Sequence, residues 1–391
     1  MLPILLAPLL AALPLGPSPA ALALTHGDLE GALSLPSNGP QEEIYLRARV
    51  ALAHWDLALA RTLATKLDAE DRPAAELAWM IAHAERNPAG LSRAAVRLCA
   101  LGDPTGRACA DAKLYRKRIA VPSVDLAAST TLPTSAKAPF PLTLANAGTG
   151  PTGFVIDSGA SDTVISSRLA NKLHLRLTKA GFPVRVAGAG GRASAHLAIL
   201  PVLTLGAATL RNTPVLVMDL DDLDRAGIEG ILAPQQALAG LTVAIDLGAH
   251  QLRIERGSPK PSHARSATVP YRMAGLDLAV EARVEGGRAA LFGLDTGMAG
   301  AYAIAADYLP SEPTGATLAL HGAGANSLAS TLAPRTVQLG SLTLTPTGTC
   351  VRSSLSQGGM PLAGLLGNGL WANGVITFDT VAHNVTVELD N

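Results

Sequence analysis

Phe154-Val155-Ile156-Asp157-Ser158-Gly159 and Leu291-Phe292-Gly293-Leu294-Asp295-Thr296-Gly297 are two versions of one pattern, an apolar run closed by Asp-Ser/Thr-Gly. A short apolar run bounded by turn residues reads as a buried strand. Asp and Gly both favour the turn that follows it. One such triplet is a common turn sequence; two in matched order are an internal repeat. The offset between the two Asp is 138 (295 − 157), and later landmarks keep an offset of 134. Gly188 answers to Gly322, Leu205-Gly206 to Leu339-Gly340, and Gly230-Ile231-Leu232-Ala233 to Gly364-Leu365-Leu366-Gly367. The run from Val243 to Asp246 answers to that from Val375 to Asp379, and each leads into a His-containing turn and a last strand.

At these residues the chain resembles the retropepsin-like and pepsin-like aspartic peptidases. The family pattern is an apolar pair before Asp-Thr/Ser-Gly, a hairpin with Gly near its tip, and a later apolar-apolar-Gly segment. The likeness covers residues 118–391. It implies a multidomain chain whose all-β bilobal module has two duplicated lobes, at 118–257 and 267–391, behind a small helical domain at 24–117. It implies a catalytic dyad of Asp157 and Asp295, braced across the pseudo-twofold axis by the hydroxyls of Ser158 and Thr296. Gly159 and Gly297 let the backbone turn close to the carboxyls. No cofactor or metal is implied. The activity implied is that of an aspartic endopeptidase acting on a peptide or protein substrate. The alternative is a catalytically inactive retropepsin-fold binding or scaffold protein of the cell envelope.

The chemistry suits these residue types. Two carboxylates held a few Å apart share one proton, because both cannot easily ionise. One then activates water while the other protonates the scissile carbonyl oxygen. The copies depart from the family pattern at three places. Met298 and Ala299 replace a small residue and a hydroxyl, and Ala233 stands where Gly is usual. Flap candidates are Gly188, Gly190 and Gly191 in the first copy, and Gly322 and Gly324 in the second. No Tyr lies near Gly188, so the pattern is closer to two Gly-tipped viral-type flaps in one chain than to a single pepsin flap.

The chain has 391 residues, 48% of them hydrophobic and 16% charged, with zero formal net charge. That balance belongs to a globular protein and lacks the basic excess of a nucleic-acid binder. Leu2 to Leu15 is almost wholly apolar, Gly16-Pro17-Ser18-Pro19 breaks it, and Ala21-Leu22-Ala23 offers an Ala-x-Ala site. This reads as a signal peptide over 1–23, cleaved near Ala23, which would make the protein periplasmic or secreted. No membrane span is expected after its removal. Cys99 and Cys109 flank a turn-rich stretch and fit either a small disulfide-closed loop or two reduced thiols. Cys350 has no supporting pattern for reactivity and reads as buried packing.

Residues 41–117 read as helical. Leu46, Val50, Ala53, Leu57, Ala60 and Ala64 step by three and four as one apolar stripe. Asp71 with Pro73, and Asn87-Pro88, mark two further helix starts. The helices are similar to tetratricopeptide-type pairs without a complete signature; a plain helical hairpin packed on the first lobe fits as well. They are the one feature that suggests docking of a protein partner. Linkers are expected at 121–139 and 255–266. Gly148-Thr149-Gly150-Pro151-Thr152-Gly153 spells a dinucleotide-like motif, but a strand follows it instead of a helix, so it reads as a hairpin turn.

Overall fold

A computed structural model describes residues 17–390, except 26–27, 104–105, 117–120, 187–190, 259–260, 262, 310–314, 323–324, 352–354 and 358–359. Helices come first: α1 (Pro19–Thr25), α2 (Leu29–Ser34), α3 (Pro40–Ala53), α4 (Leu57–Ala64), α5 (Arg72–Ala84), α6 (Pro88–Ala100) and α7 (Arg107–Tyr115). Strands dominate the remainder.

The two copies fold alike. In the first, Leu142–Asn146 pairs antiparallel with Pro151–Ile156, which pairs parallel with Ile228–Leu232. In the second, Asp277–Val284 pairs antiparallel with Ala290–Asp295, which pairs parallel with Gly364–Gly367. The central strand of each triplet is buried along its apolar run, since it is covered on both faces. Each therefore delivers its Asp at the strand's C-terminal end. The dinucleotide-like stretch is the turn of the first hairpin, where Asn146 pairs with Pro151.

The lobes are joined by one continuous sheet. Its order is Thr130–Pro133, Gln251–Glu255, Thr242–Asp246, Gly374–Asp379, Asn384–Leu389, Arg265–Ala274. The central pair, Thr242–Asp246 with Gly374–Asp379, brings one strand from each copy together, Ala244 opposite Thr377. Phe378, Ile376, Val243 and Ile245 are fully buried there, in a core that runs through both lobes.

Two expectations need correction. The stretch 121–139 is not simply a linker. Ser123–Leu126 pairs with Ala208–Met218 of the first lobe, and Thr130–Pro133 forms an edge of the joining sheet. Short strands rich in Thr, Ser and Pro look like loop by composition, and an edge strand needs few apolar residues. The apolar stripe 46–64 is two helices. Trp55 turns the chain with a left-handed backbone (φ 62°), and the Asp56 carboxylate caps α4 by accepting from the Leu59 N–H.

The helical region touches both lobes rather than the first alone. Ala20, Ala23, Leu24, Leu46 and Val50 share a buried cluster with Ala279, Leu291 and Leu365 of the second lobe. Ala110 packs with Phe182, Leu197 and Leu216 of the first. Residues at the expected signal cleavage site thus lie in α1, packed on the second lobe.

Cys99 of α6 and Cys109 of α7 form a disulfide, closing a separation of 10 residues. Closing a loop of that size stabilises by about 2–3 kcal/mol through the unfolded chain. The Cys99→Ser/Cys109→Ser double variant is expected to lose that amount in urea unfolding; an unchanged midpoint would mean that α6–α7 packing alone holds the segment.

Candidate active site

Ser158 and Thr296 are fully buried between the lobes. Each hydroxyl bonds across to the other copy. Ser158 Oγ donates to the Leu294 carbonyl (2.8 Å) and accepts from the Thr296 N–H (3.2 Å). Thr296 Oγ1 donates to the Ile156 carbonyl (2.7 Å) and accepts from the Ser158 N–H (3.0 Å). Four bonds related by a twofold satisfy both buried hydroxyls and lock the two loops into one unit.

The lock sets the carboxyls against each other. A Cβ on Gly159 would lie 2.7 Å from Asp295 Cγ, and one on Gly297 would lie 2.7 Å from Asp157 Oδ2. Only glycine leaves that space, a stronger requirement than turn geometry alone. Asp157 and Asp295 face each other across the two loops. The Gly159 N–H donates to Asp157 Oδ1 at 2.8 Å. Both carboxyls keep a partly exposed face. Burial pushes both above the ordinary carboxylate value, and the neighbouring Asp157 charge holds Asp295 up further. The pair is built to hold one proton between two oxygens.

The departures from the repeat compensate one another. Met298 occupies the position that answers to Ala160. A Cβ on Gly367 would lie 2.8 Å from Met298 Cε and 2.4 Å from the Gly300 carbonyl. In the first lobe the corresponding positions carry two small residues, Ala160 and Ala233, and Ala233 is fully buried. The turns agree: the Ala160 N–H bonds the Asp157 carbonyl and the Met298 N–H bonds the Asp295 carbonyl.

Two flanking amides escape a reading of sequence alone. Gln235 Nε2 donates to the Ala160 carbonyl (2.7 Å), and Asn368 Nδ2 to the Thr296 carbonyl (2.7 Å). Their only signal is position, one or two residues past Ala233 and Gly367.

The helical region also reaches this loop. Arg107 of α7 makes a two-pronged bond to Asp162, five residues past Asp157, at 2.8 and 2.9 Å. Arg107 Nε bonds Asp111 Oδ2 (3.3 Å), which also meets Trp79 Nε1 (3.0 Å) and His83 Nε2 (3.2 Å). Burial disfavours the charge on both acids, but Arg107 outweighs it and holds each carboxyl below its ordinary value. Breaking such a buried pair costs about 3–5 kcal/mol.

Of the flap candidates, Gly191 opens the strand Gly191–Leu205, whose hairpin partner is Phe182–Val186. Gly322 ends Thr317–Gly322, paired with Ala325–Leu332. Gly188, Gly190 and Gly324 lie outside the described residues. The two hairpins touch through Gly191–Leu205 and Ala325–Leu332. No cluster of metal-binding side chains occurs among the described residues, and none of their helices is long and apolar enough to cross a membrane. Cys350 is buried in the second lobe.

Residues 141–233, from the first hairpin through the parallel strand beside Asp157, match the aspartyl protease family model. Over those residues the first lobe is similar to the aspartyl proteases. Among solved structures, the aspartic proteinase from Irpex lacteus is similar over 68% of this chain and 98% of its own, at 12% identity and a TM-score of 0.44. No curated protein matches the chain.

Asp277 is a further buried acid near this site. Burial, then the Asp162 and Asp157 charges, push its carboxyl well above the usual 3.8. The folded protein therefore keeps a proton that the unfolded chain releases. Stability from this group is complete below about pH 4 and is lost as pH rises toward the folded value, by up to about 1.4 kcal/mol per pH unit. Asp277→Asn should flatten that decline and raise Tm at pH 7. A variant with the parent's slope between pH 4 and 7 would show that Asp277 ionises normally.

Proposed function

We propose that this chain is an aspartic endopeptidase in which Asp157 and Asp295 activate one water. The observation that carries the reading is the crossed set of Ser158 and Thr296 bonds, which holds the two carboxyls against each other. The ionised carboxylate takes a proton from water as its oxygen attacks the peptide carbonyl carbon. The protonated partner gives its proton to the carbonyl oxygen, forming a gem-diol. Collapse breaks the C–N bond: the nitrogen takes the proton now on the first carboxyl, a gem-diol hydroxyl gives its proton to the second carboxylate as the C=O forms, and the pair regains its starting state. Shifting the proton within the pair lets both steps use the same two groups. The substrate lies extended beneath the two hairpins, its backbone bonded as an added strand.

Asp157→Asn and Asp295→Asn each replace a carboxyl by an amide of the same shape. Each is expected to lower kcat by at least about 10²–10⁴-fold on a mixed peptide library while leaving the fold intact. Full hydrolysis by both single variants would sink the assignment. A folded parent that cleaves nothing from acid to neutral pH would favour the inactive binding or scaffold reading.

The compartment belongs to the same proposal. The Cys99–Cys109 disulfide and the apolar N-terminus support a periplasmic or secreted protein. N-terminal sequencing of protein from an envelope fraction is expected to begin near Leu24. A chain that still begins at Met1 would leave α1 as a permanent part of the second lobe's packing.

A further inference from the structure

Trp55, Arg86 and His383 carry left-handed backbones (φ 62°, 51° and 54°), and all three line one cavity of about 230 Å³. Trp55 and Arg86 are the left-handed residues that end α3 and α5. The cavity lies where three parts of the chain meet. The α3–α5 segment supplies Trp55 and Arg86, the first lobe Gln235, and the second lobe Tyr271 and His383. Trp55 stacks on His383 (centroids 4.1 Å apart, planes at 7°) and meets the Tyr271 ring edge-on at 5.6 Å.

The wall offers three unmet polar demands. Trp55 Nε1 is buried with no acceptor among the described residues. Gln235 commits Nε2 to the catalytic loop, and its buried Oε1 has no donor among the described residues. Arg86 has no acid within ion-pair distance among the described residues, although burial disfavours its charge. Nearby acids do not supply the missing charge. Asp111 and Asp162 are taken up by Arg107, and Asp277, which lines the same cavity, makes no ion pair with Arg86 among the described residues, while burial disfavours its charge. Arg86 is thus a cation seeking an anion in a partly apolar cavity, with Leu57, Leu276 and Leu278 on its sides.

We infer that this cavity binds the C-terminal end of a short peptide or an acylated amino acid. The carboxylate meets the Arg86 guanidinium and the Trp55 N–H, the amide N–H meets Gln235 Oε1, and an apolar side chain lies against the leucines. The volume holds about eight waters at liquid density, enough for a ligand of that size. The site stands whether or not the dyad hydrolyses peptides.

The test is calorimetric titration of the full chain with N-acetyl-leucine and, separately, with N-acetyl-leucinamide, which lacks the negative charge. The acid is expected to bind at least about tenfold more tightly than the amide, since bonds to charged groups are the stronger ones. Arg86→Asn removes the guanidinium while keeping a residue that tolerates the left-handed backbone, and it should lose acid binding by at least about tenfold. Trp55→Phe keeps the ring on His383 but removes the N–H, and should weaken the acid by several-fold; it decides the matter if the Arg86 variant does not fold. Binding that persists in Asp157→Asn places the ligand away from the dyad. No binding of either probe, equal binding of both, or full binding in the Arg86 variant would leave a cavity filled by water and overturn the proposal. Binding abolished by Asp157→Asn would overturn it in favour of the cleft.

Discussion

The four crossed bonds between Ser158 and Thr296 are the constraint on which the module depends. Two buried hydroxyls each need partners, and each finds them only on the opposite copy. Any displacement of one lobe against the other would leave four buried polar groups unpaired, at about 1–3 kcal/mol each. The same bonds bring the carboxyls so close that glycine is required at 159 and 297. A proton shared by two acids is thus a by-product of satisfying two alcohols.

Much of this was legible in the sequence because duplication repeats its signals. The triplets at 157 and 295, the strands before them and the Gly-centred hairpins are local patterns, each met twice. What escaped was what distant residues do together. Arg107 and Asp162 lie 55 positions apart, and nothing local distinguishes that arginine from others on helix surfaces. The edge strand Thr130–Pro133 looked like linker because its burial comes from pairing with Gln251–Glu255. Trp55 looked like part of a continuing helix, because a left-handed turn at a large aromatic has no compositional sign. Asp56 was the available clue, a capping residue within an apolar stripe.

Met298 shows how a departure from a pattern is absorbed. Its Cε lies where a side chain at Gly367 would clash, while the first lobe carries Ala160 and Ala233 at the corresponding positions. Read singly, either residue looks like damage to the site; read as pairs, the two lobes are two packings of one turn.

The Arg107–Asp162 bond gives the helical region a role that cannot be given up. Were the helices cut away as an activation segment, Asp162 would keep its place five residues from the dyad but lose its counter-charge. The alanine- and leucine-rich faces of both lobes would be uncovered at the same time. Loss of α3–α7 would thus cost both the counter-charge and the packing, so these helices are structural parts of the folded module.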